Sequence, residues 1–139
     1  MSKATIWSKL KDKGFSDTAC AAIMGNMQAE SAFRSDNVED RSGIADEQYT
    51  ARVDNGSYSR EQFMRDSYGY GLCQWTYYTR KAALYDLAER RGVSIANEQM
   101  QIDLLMQELQ TDYRTSYNAL ISGASLYDMT ATYMRNFEN

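Results

Sequence analysis

Apolar positions recur at helical spacing along most of the chain, with one long break in the middle. Ile6, Trp7 and Leu10 mark a short first helix that Gly14 ends. Ser16 is a good N-cap for a second helix running to about Ser31, because its hydroxyl can accept from a free amide of the first turn. Thr79 is placed to cap a helix carrying Ala83, Leu84, Leu87 and Ala88, which Gly92 stops. Asn97 opens another, with Met100, Leu104, Leu105 and Leu109 on one side. Tyr113, Tyr117, Leu120 and Ile121 mark a further short helix, ended by Gly123. Ser125 with Asp128 reads as a capping box in which Asp replaces the usual Glu. It opens a last helix with Leu126, Met129, Tyr133 and Phe137.

Between Arg34 and Tyr70 the periodicity dissolves into polar and turn residues. Asp54-Asn55-Gly56 suits a tight turn, with a hairpin as one form of it. Arg60 to Arg65 fits one helical turn. The predicted fold class is therefore mainly α, an α+β arrangement of helices with a small β or loop lobe mid-chain. No repeat or low-complexity stretch divides the chain, so 1–139 reads as one domain. Proline is absent, which raises the expectation that a piece of the natural domain is missing.

Composition narrows the chemistry. Apolar residues make up 43% and charged residues 24%, enough to build a core and to disfavour disorder. A net charge of −4 offers little to a phosphate backbone, so nucleic acid is not an expected partner. No histidine is present. That removes Ser-His and Cys-His nucleophile pairs and His-ligated zinc, so no metal or cofactor is expected. Acid–base work must fall to carboxylates, tyrosines or lysines. The two cysteines, Cys20 and Cys73, stand in apolar company and are expected to be free thiols. No run is long enough to span a membrane, and Met1 to Lys13 lacks a signal-peptide core.

Glu30 stands out on the second helix. At 100° per residue it falls about 20° from Ile23, with Ala19 and Met27 about 40° to either side. Two readings follow. In one, the helix frays before Glu30, or Glu30 pairs with Arg34. In the other, Glu30 is a carboxyl at the edge of the core, where burial and the helix C-terminus both favour its protonated form. A carboxylic acid kept protonated is what a glycosidic oxygen needs from a proton donor.

The stretch Tyr68-Gly69-Tyr70-Gly71-Leu72-Cys73-Gln74-Trp75-Thr76 sets two glycines among aromatics, an amide and a hydroxyl. Glycines let another backbone or a ligand come close. Aromatic faces stack on sugar rings, and Gln74 and Thr76 can bond sugar hydroxyls. A buried aromatic cluster has the same composition.

Ala29-Glu30-Ser31 at a helix end, followed by Gly71-Leu72-Cys73-Gln74, resembles the lysozyme superfamily, and within it the goose-type lysozymes and lytic transglycosylases. The longer blocks, Gly25-Asn26-Met27-Gln28-Ala29-Glu30-Ser31 and Gly71-Leu72-Cys73-Gln74-Trp75-Thr76 with Arg80-Lys81, resemble the phage tail lysozyme domains of tail proteins, endolysins and wall hydrolases. The resemblance spans about Phe15 to Phe137. It implies a helical lysozyme fold whose cleft lies beside a small β lobe, with Glu30 as general acid. It also implies a cleft-lining role for Gln74, beside which the composition of the segment offers Tyr70, Trp75 and Thr76 as further sugar contacts.

The implied activity is a muramidase cutting the MurNAc–GlcNAc bond of bacterial peptidoglycan. A lytic transglycosylase and an inert wall-binding tail module are the alternatives. The implied setting is the cell wall or a virion tail, as a monomeric domain within a larger polypeptide. Two departures matter. Goose-type enzymes carry an aspartate two residues after the glutamine, where this chain has Thr76. That leaves the second carboxylate open: the mid-chain stretch offers Asp46, Glu47, Asp54 and Asp66, of which Asp66 is nearest in sequence to the glycine-rich segment, and surface solvation is the alternative for each. The chain also stops at Phe137-Glu138-Asn139, where relatives run on, so a trimmed C-terminus is expected.

Overall fold

The computed structural model describes residues 3–122 and 125–137, the latter without the side chains at 134, 136 and 137. Its helices are α1 (Lys3–Asp12), α2 (Asp17–Ser31), α3 (Asp46–Asp54), α4 (Arg60–Arg65), α5 (Tyr78–Arg91), α6 (Glu98–Gln110), α7 (Arg114–Ile121) and α8 (Leu126–Phe137). They fall into two compact units, Met1–Phe33 with Ile102–Asn139, and Arg34–Gln101.

In the first unit α2 is the central element, packed by α1, α7 and α8. Ser16 caps it as expected, accepting from the Ala19 amide at 3.1 Å. Ala19, Cys20, Ala22, Ile23 and Met27 are buried on one side. Ile6 and Leu10 of α1, and Met129 and Tyr133 of α8, are buried too. Ser125 accepts from the Asp128 amide at 3.2 Å, the N-cap half of the expected box. Two expected core positions are not core: Ile121 and Leu126 are exposed, each at the end of its helix. The stop at Gly123 and the side chain of Phe137 lie outside the described residues.

The second unit corrects the mid-chain expectation. No strand occurs there among the described residues; α3, α4 and a 3-10 turn at Asp40–Ser42 fill about half of the stretch from Arg34 to Tyr70. Tyr49 and Val53, one helical turn apart, anchor α3, and such sparse apolar pairs do not register as a periodicity. Asp54-Asn55-Gly56 is no hairpin. It ends α3, with the Asn55 amide returning to the Ala51 carbonyl at 2.9 Å and Gly56 at φ +84°. The expected turn at Arg60–Arg65 is present as α4, fixed by a reciprocal Ser59–Gln62 capping box. Helix α5 starts at Tyr78, ahead of the expected Thr79 cap, and Gly92 ends it at φ +65°. Asn97 opens α6, accepting from the Met100 amide at 2.9 Å. Both cysteines are free and buried, as expected.

The core of this unit is aromatic and holds a Lys81–Asp66 ion pair. Tyr49 stacks on Tyr70 with ring centroids 5.5 Å apart, and Phe63 meets Tyr70 edge-on at 6.0 Å. Lys81, on the same side of α5 as Leu84 and Ala88, is 0% exposed. Its ammonium sits 4.3 Å from the Phe63 ring centre. It donates to the Tyr68 carbonyl at 2.7 Å and the Tyr49 hydroxyl at 3.1 Å, and pairs with Asp66.

These groups tie stability to pH with opposite signs. Burial pushes the Tyr49 and Tyr70 phenols far above their ordinary 10.0. Their stabilisation is complete below pH 10 and is lost as pH rises, because the unfolded chain ionises first. Burial lowers Lys81 from its ordinary 10.5, the Asp66 bond opposing it, so its cost lies below that pH and fades as pH climbs toward it. Above 10.5 only the tyrosine slope remains, about 1.4 kcal/mol per tyrosine per pH unit. The urea midpoint should therefore fall steeply between pH 10.5 and 11.5. A midpoint that holds across that interval would contradict the burial of these phenols.

Candidate active site

The glycine-rich segment folds into a tight four-residue loop. Tyr70 and Trp75 exchange both backbone hydrogen bonds, at 3.1 and 3.0 Å, and enclose Gly71 to Gln74. On its other side Tyr70 bridges Val38, with the Glu39 amide donating to the Gly69 carbonyl at 2.8 Å and the Gly71 amide to the Asn37 carbonyl at 2.9 Å. These two bridges are all that the expected β lobe amounts to among the described residues.

Gln74 holds this loop from within. Its backbone sits at φ +51°, a conformation that costs a non-glycine residue energy. Its side-chain amide answers by donating to the Asn37 and Gly71 carbonyls, both at 3.0 Å. The carbonyl end remains open. A Cβ placed on Gly69 would meet Gln74 Oε1 at 2.7 Å and Thr76 Oγ1 at 3.1 Å. Two polar oxygens therefore converge over a residue that has no side chain. Thr76 is exposed, and its own proton is donated to the Gln74 carbonyl at 2.8 Å. Both oxygens keep acceptor capacity, suited to a hydroxyl or amide N–H.

Gln101 is a residue the sequence reading missed. It is fully buried and makes three bonds: Oε1 accepts from the Leu72 amide at 2.9 Å, and Nε2 donates to the Ser35 and Ile95 carbonyls at 2.8 Å. The available signal was a glutamine on the apolar side of α6, one turn from Leu105. Gln101 also explains Gly71, which lies at φ +84° and where a Cβ would stand 2.9 Å from the Gln101 amide. Gly71→Ala should lower stability by roughly 1–3 kcal/mol through backbone strain alone, before the clash is counted. The urea midpoint reads this directly, and an unshifted midpoint would show that neither constraint holds.

Three residues expected to serve the ligand do other work. Tyr70 and Trp75 are 0% exposed, so neither offers a face to a sugar. The strict inside–outside alternation of paired backbone sends both rings inward from the bridge they share. The Tyr70 hydroxyl is bonded to Thr50 Oγ1 at 2.5 Å. Asp66, expected as a second acid, is committed to the fold. Its Oδ2 accepts from the Tyr49 and Tyr58 hydroxyls at 2.6 and 2.8 Å, and its Oδ1 from the Tyr68 amide at 2.9 Å and from Lys81. Four donors fill the four acceptor positions of a carboxylate, leaving none for a water or a sugar.

Glu30 departs from expectation in one respect. Helix α2 does not fray before it but runs to Ser31, with Ala32 as a left-handed cap. Arg34, the expected partner, is bonded to Asp36 and Asp46. Yet the Glu30 side chain is exposed rather than shielded at the core edge. Its azimuth is that of the buried side, as Ile23 and Met27 below it show, and Ser31 next to it is buried, yet Glu30 itself is exposed. One turn earlier, Asn26 is buried, and its Oδ1 has no hydrogen-bond partner among the described residues. The result is an open carboxylate on the inward-facing side of a helix end.

No group of three or more Asp, Glu, Cys or His among the described residues is arranged to hold a metal ion. No helix among them is long and apolar enough to cross a membrane. A family model described as phage tail lysozyme matches residues 2–139. Neither a curated protein nor a solved structure matches the chain.

Proposed function

This chain belongs to the phage tail lysozyme family, and from that membership we propose that it is a muramidase cleaving the MurNAc–GlcNAc bond of peptidoglycan with Glu30 as proton donor. The carrying observation is a family match over nearly the whole length, which includes both Glu30 and the Gly71–Gln74 loop. Glu30 protonates the bridging glycosidic oxygen as the bond breaks, and the sugar passes through an oxocarbenium-like transition state. Because the carboxyl is exposed, the fold alone does not take water from it. In this reading the bound glycan covers it and excludes water. Gln74 Oε1 and Thr76 Oγ1 accept from sugar hydroxyl or acetamido groups.

A carboxylate dyad is not part of this proposal, because Asp66 is occupied by Lys81 and three other donors. With Asp66 unavailable as a nucleophile, water is proposed to attack the opposite face of the ring, rather than a carboxylate forming a covalent glycosyl-enzyme. The same fact favours one second reading, in which the muramyl C6 hydroxyl attacks and leaves a 1,6-anhydro end. In either case the carrier is a virion tail or a larger wall-degrading polypeptide.

Incubation with purified sacculi tests the enzyme reading against an inert wall-binding module. New reducing or anhydro ends are expected to accumulate with time. Sedimentation with the sacculi and no new ends would make the domain a binding module.

A further inference from the structure

Beside the Gln74–Thr76 segment lies a second feature. A cavity of about 300 Å³ is lined by Met64, Arg65, Ser67, Thr76, Tyr77 and Tyr78. Single exposed hydrophobes are unremarkable, but here two consecutive tyrosines are exposed, Tyr77 at 63% and Tyr78 at 44%. Their rings contact each other, with centroids 4.8 Å apart and planes tilted by 44°. They stand at the start of α5, where Tyr77 occupies the N-cap position without capping. Nothing in the capping of that helix calls for aromatic rings there.

The polar groups around them are of two kinds. Ser67 and Thr76 bring hydroxyls, and the Thr76 oxygen is one of the two acceptors converging over Gly69. Arg65 brings a guanidinium 5.8 Å from the Tyr78 ring centre, but its Nε is already bonded to Glu61 at 2.7 Å. That pairing offsets its charge and disfavours an anionic occupant. A neutral ligand with one apolar face and a rim of hydroxyls or amides matches the lining, and a sugar ring is such a ligand. The volume is at the lower end of the usual range for ligand pockets, about 300–1,000 Å³, which suits a single ring.

We infer that Tyr77 and Tyr78, with the cavity formed by Met64, Arg65, Ser67 and Thr76, make a subsite for one N-acetylated sugar of the glycan strand. The inference rests on the glycosidase reading for the identity of that ligand. The C–H face of the ring lies on a tyrosine, and its hydroxyl and acetamido groups reach Ser67 and Thr76. Binding energy from this subsite holds the strand without touching the bond that breaks.

The test uses the full chain carrying Glu30→Gln, titrated with the tetramer of N-acetylglucosamine and followed by NMR. Adding Tyr77→Ala or Tyr78→Ala should weaken binding about tenfold for at least one of the two, and Phe at the same position should restore it, since the ring face is kept. In the catalytically intact chain the same Ala variant should raise KM on sacculi and leave kcat nearly unchanged. Ala variants that keep normal helix content and bind the tetramer as tightly as their parent would overturn the subsite. So would a parent that does not bind the tetramer at all. The glycosidase reading fails separately, if the wild-type chain releases no new ends from sacculi while the titration still depends on Tyr77 or Tyr78.

Discussion

Glu30→Gln is expected to remove nearly all glycan cleavage while leaving the fold unchanged. Glutamine keeps the shape of the side chain but has no acidic proton to give. Loss of a transition-state proton donor costs on the order of 10²–10⁴ in rate. Stability should hardly move, because Glu30 is exposed and surface substitutions of this kind stay within about 0.5 kcal/mol. That combination separates a catalytic carboxylate from a structural one. Binding to sacculi should persist, since the groups assigned to hold the strand are intact. A variant that folds normally and retains wild-type activity would mean that some other group supplies the proton.

Asp66→Asn is expected to have the opposite profile, a large loss of stability with little loss of activity per folded molecule. Lys81 is fully buried, and Asp66 is its counter-charge. Without that carboxylate the ammonium keeps neutral partners, the Tyr49 hydroxyl, the Tyr68 carbonyl and the Phe63 ring face, and has lost its counter-charge. Breaking one half of a buried pair costs about 3–5 kcal/mol, because the other half is left charged and uncompensated. For a chain of this size that is on the order of 10 °C in Tm. Adding Lys81→Met to Asp66→Asn removes the stranded charge and should recover part of the loss. A Tm within about 2 °C of wild type for Asp66→Asn would show that the pair does not hold this unit together. A normal Tm with lost activity would return Asp66 to the role of second acid.

The outcomes of these two carboxylates show what the sequence could and could not convey. Both Glu30 and Lys81 are charged residues on an apolar stripe. Lys81 lies near the start of α5, over Asp66 and the Tyr68 carbonyl, and is enclosed. Glu30 lies in the last turn of α2 at the azimuth of buried Ile23 and Met27, beside buried Ser31, and is exposed. A helical wheel gives direction around the axis but not how far packing extends along it. The helix ends were legible for local reasons: Ser16 and Asn97 carry the capping oxygen themselves, and Gly92 supplies the left-handed stop. In the middle of the chain only the turn at Arg60–Arg65 was legible, as α4; α3 rests on two apolar residues, Tyr49 with Val53, too few to mark a period.

Composition left two readings of the glycine-rich segment, a sugar platform and a buried aromatic cluster; Tyr70 and Trp75 face the core through the bridge that joins them, which fits the second. What composition could not convey was the distant residue that shapes the loop. Gln101, thirty residues beyond Gly71, takes the Leu72 amide and leaves no room for a side chain at Gly71. The outward-facing aromatics stand just past the motif, at Tyr77 and Tyr78.

The most direct measurement is mass spectrometry of the soluble fragments released from purified sacculi by the wild-type chain and by Glu30→Gln. The expected result is muropeptides with muramic acid at the newly formed end, released by wild type and absent with Glu30→Gln. Fragments ending in reducing N-acetylglucosamine, peptide cuts with intact glycan, or the same fragments from both proteins would contradict it.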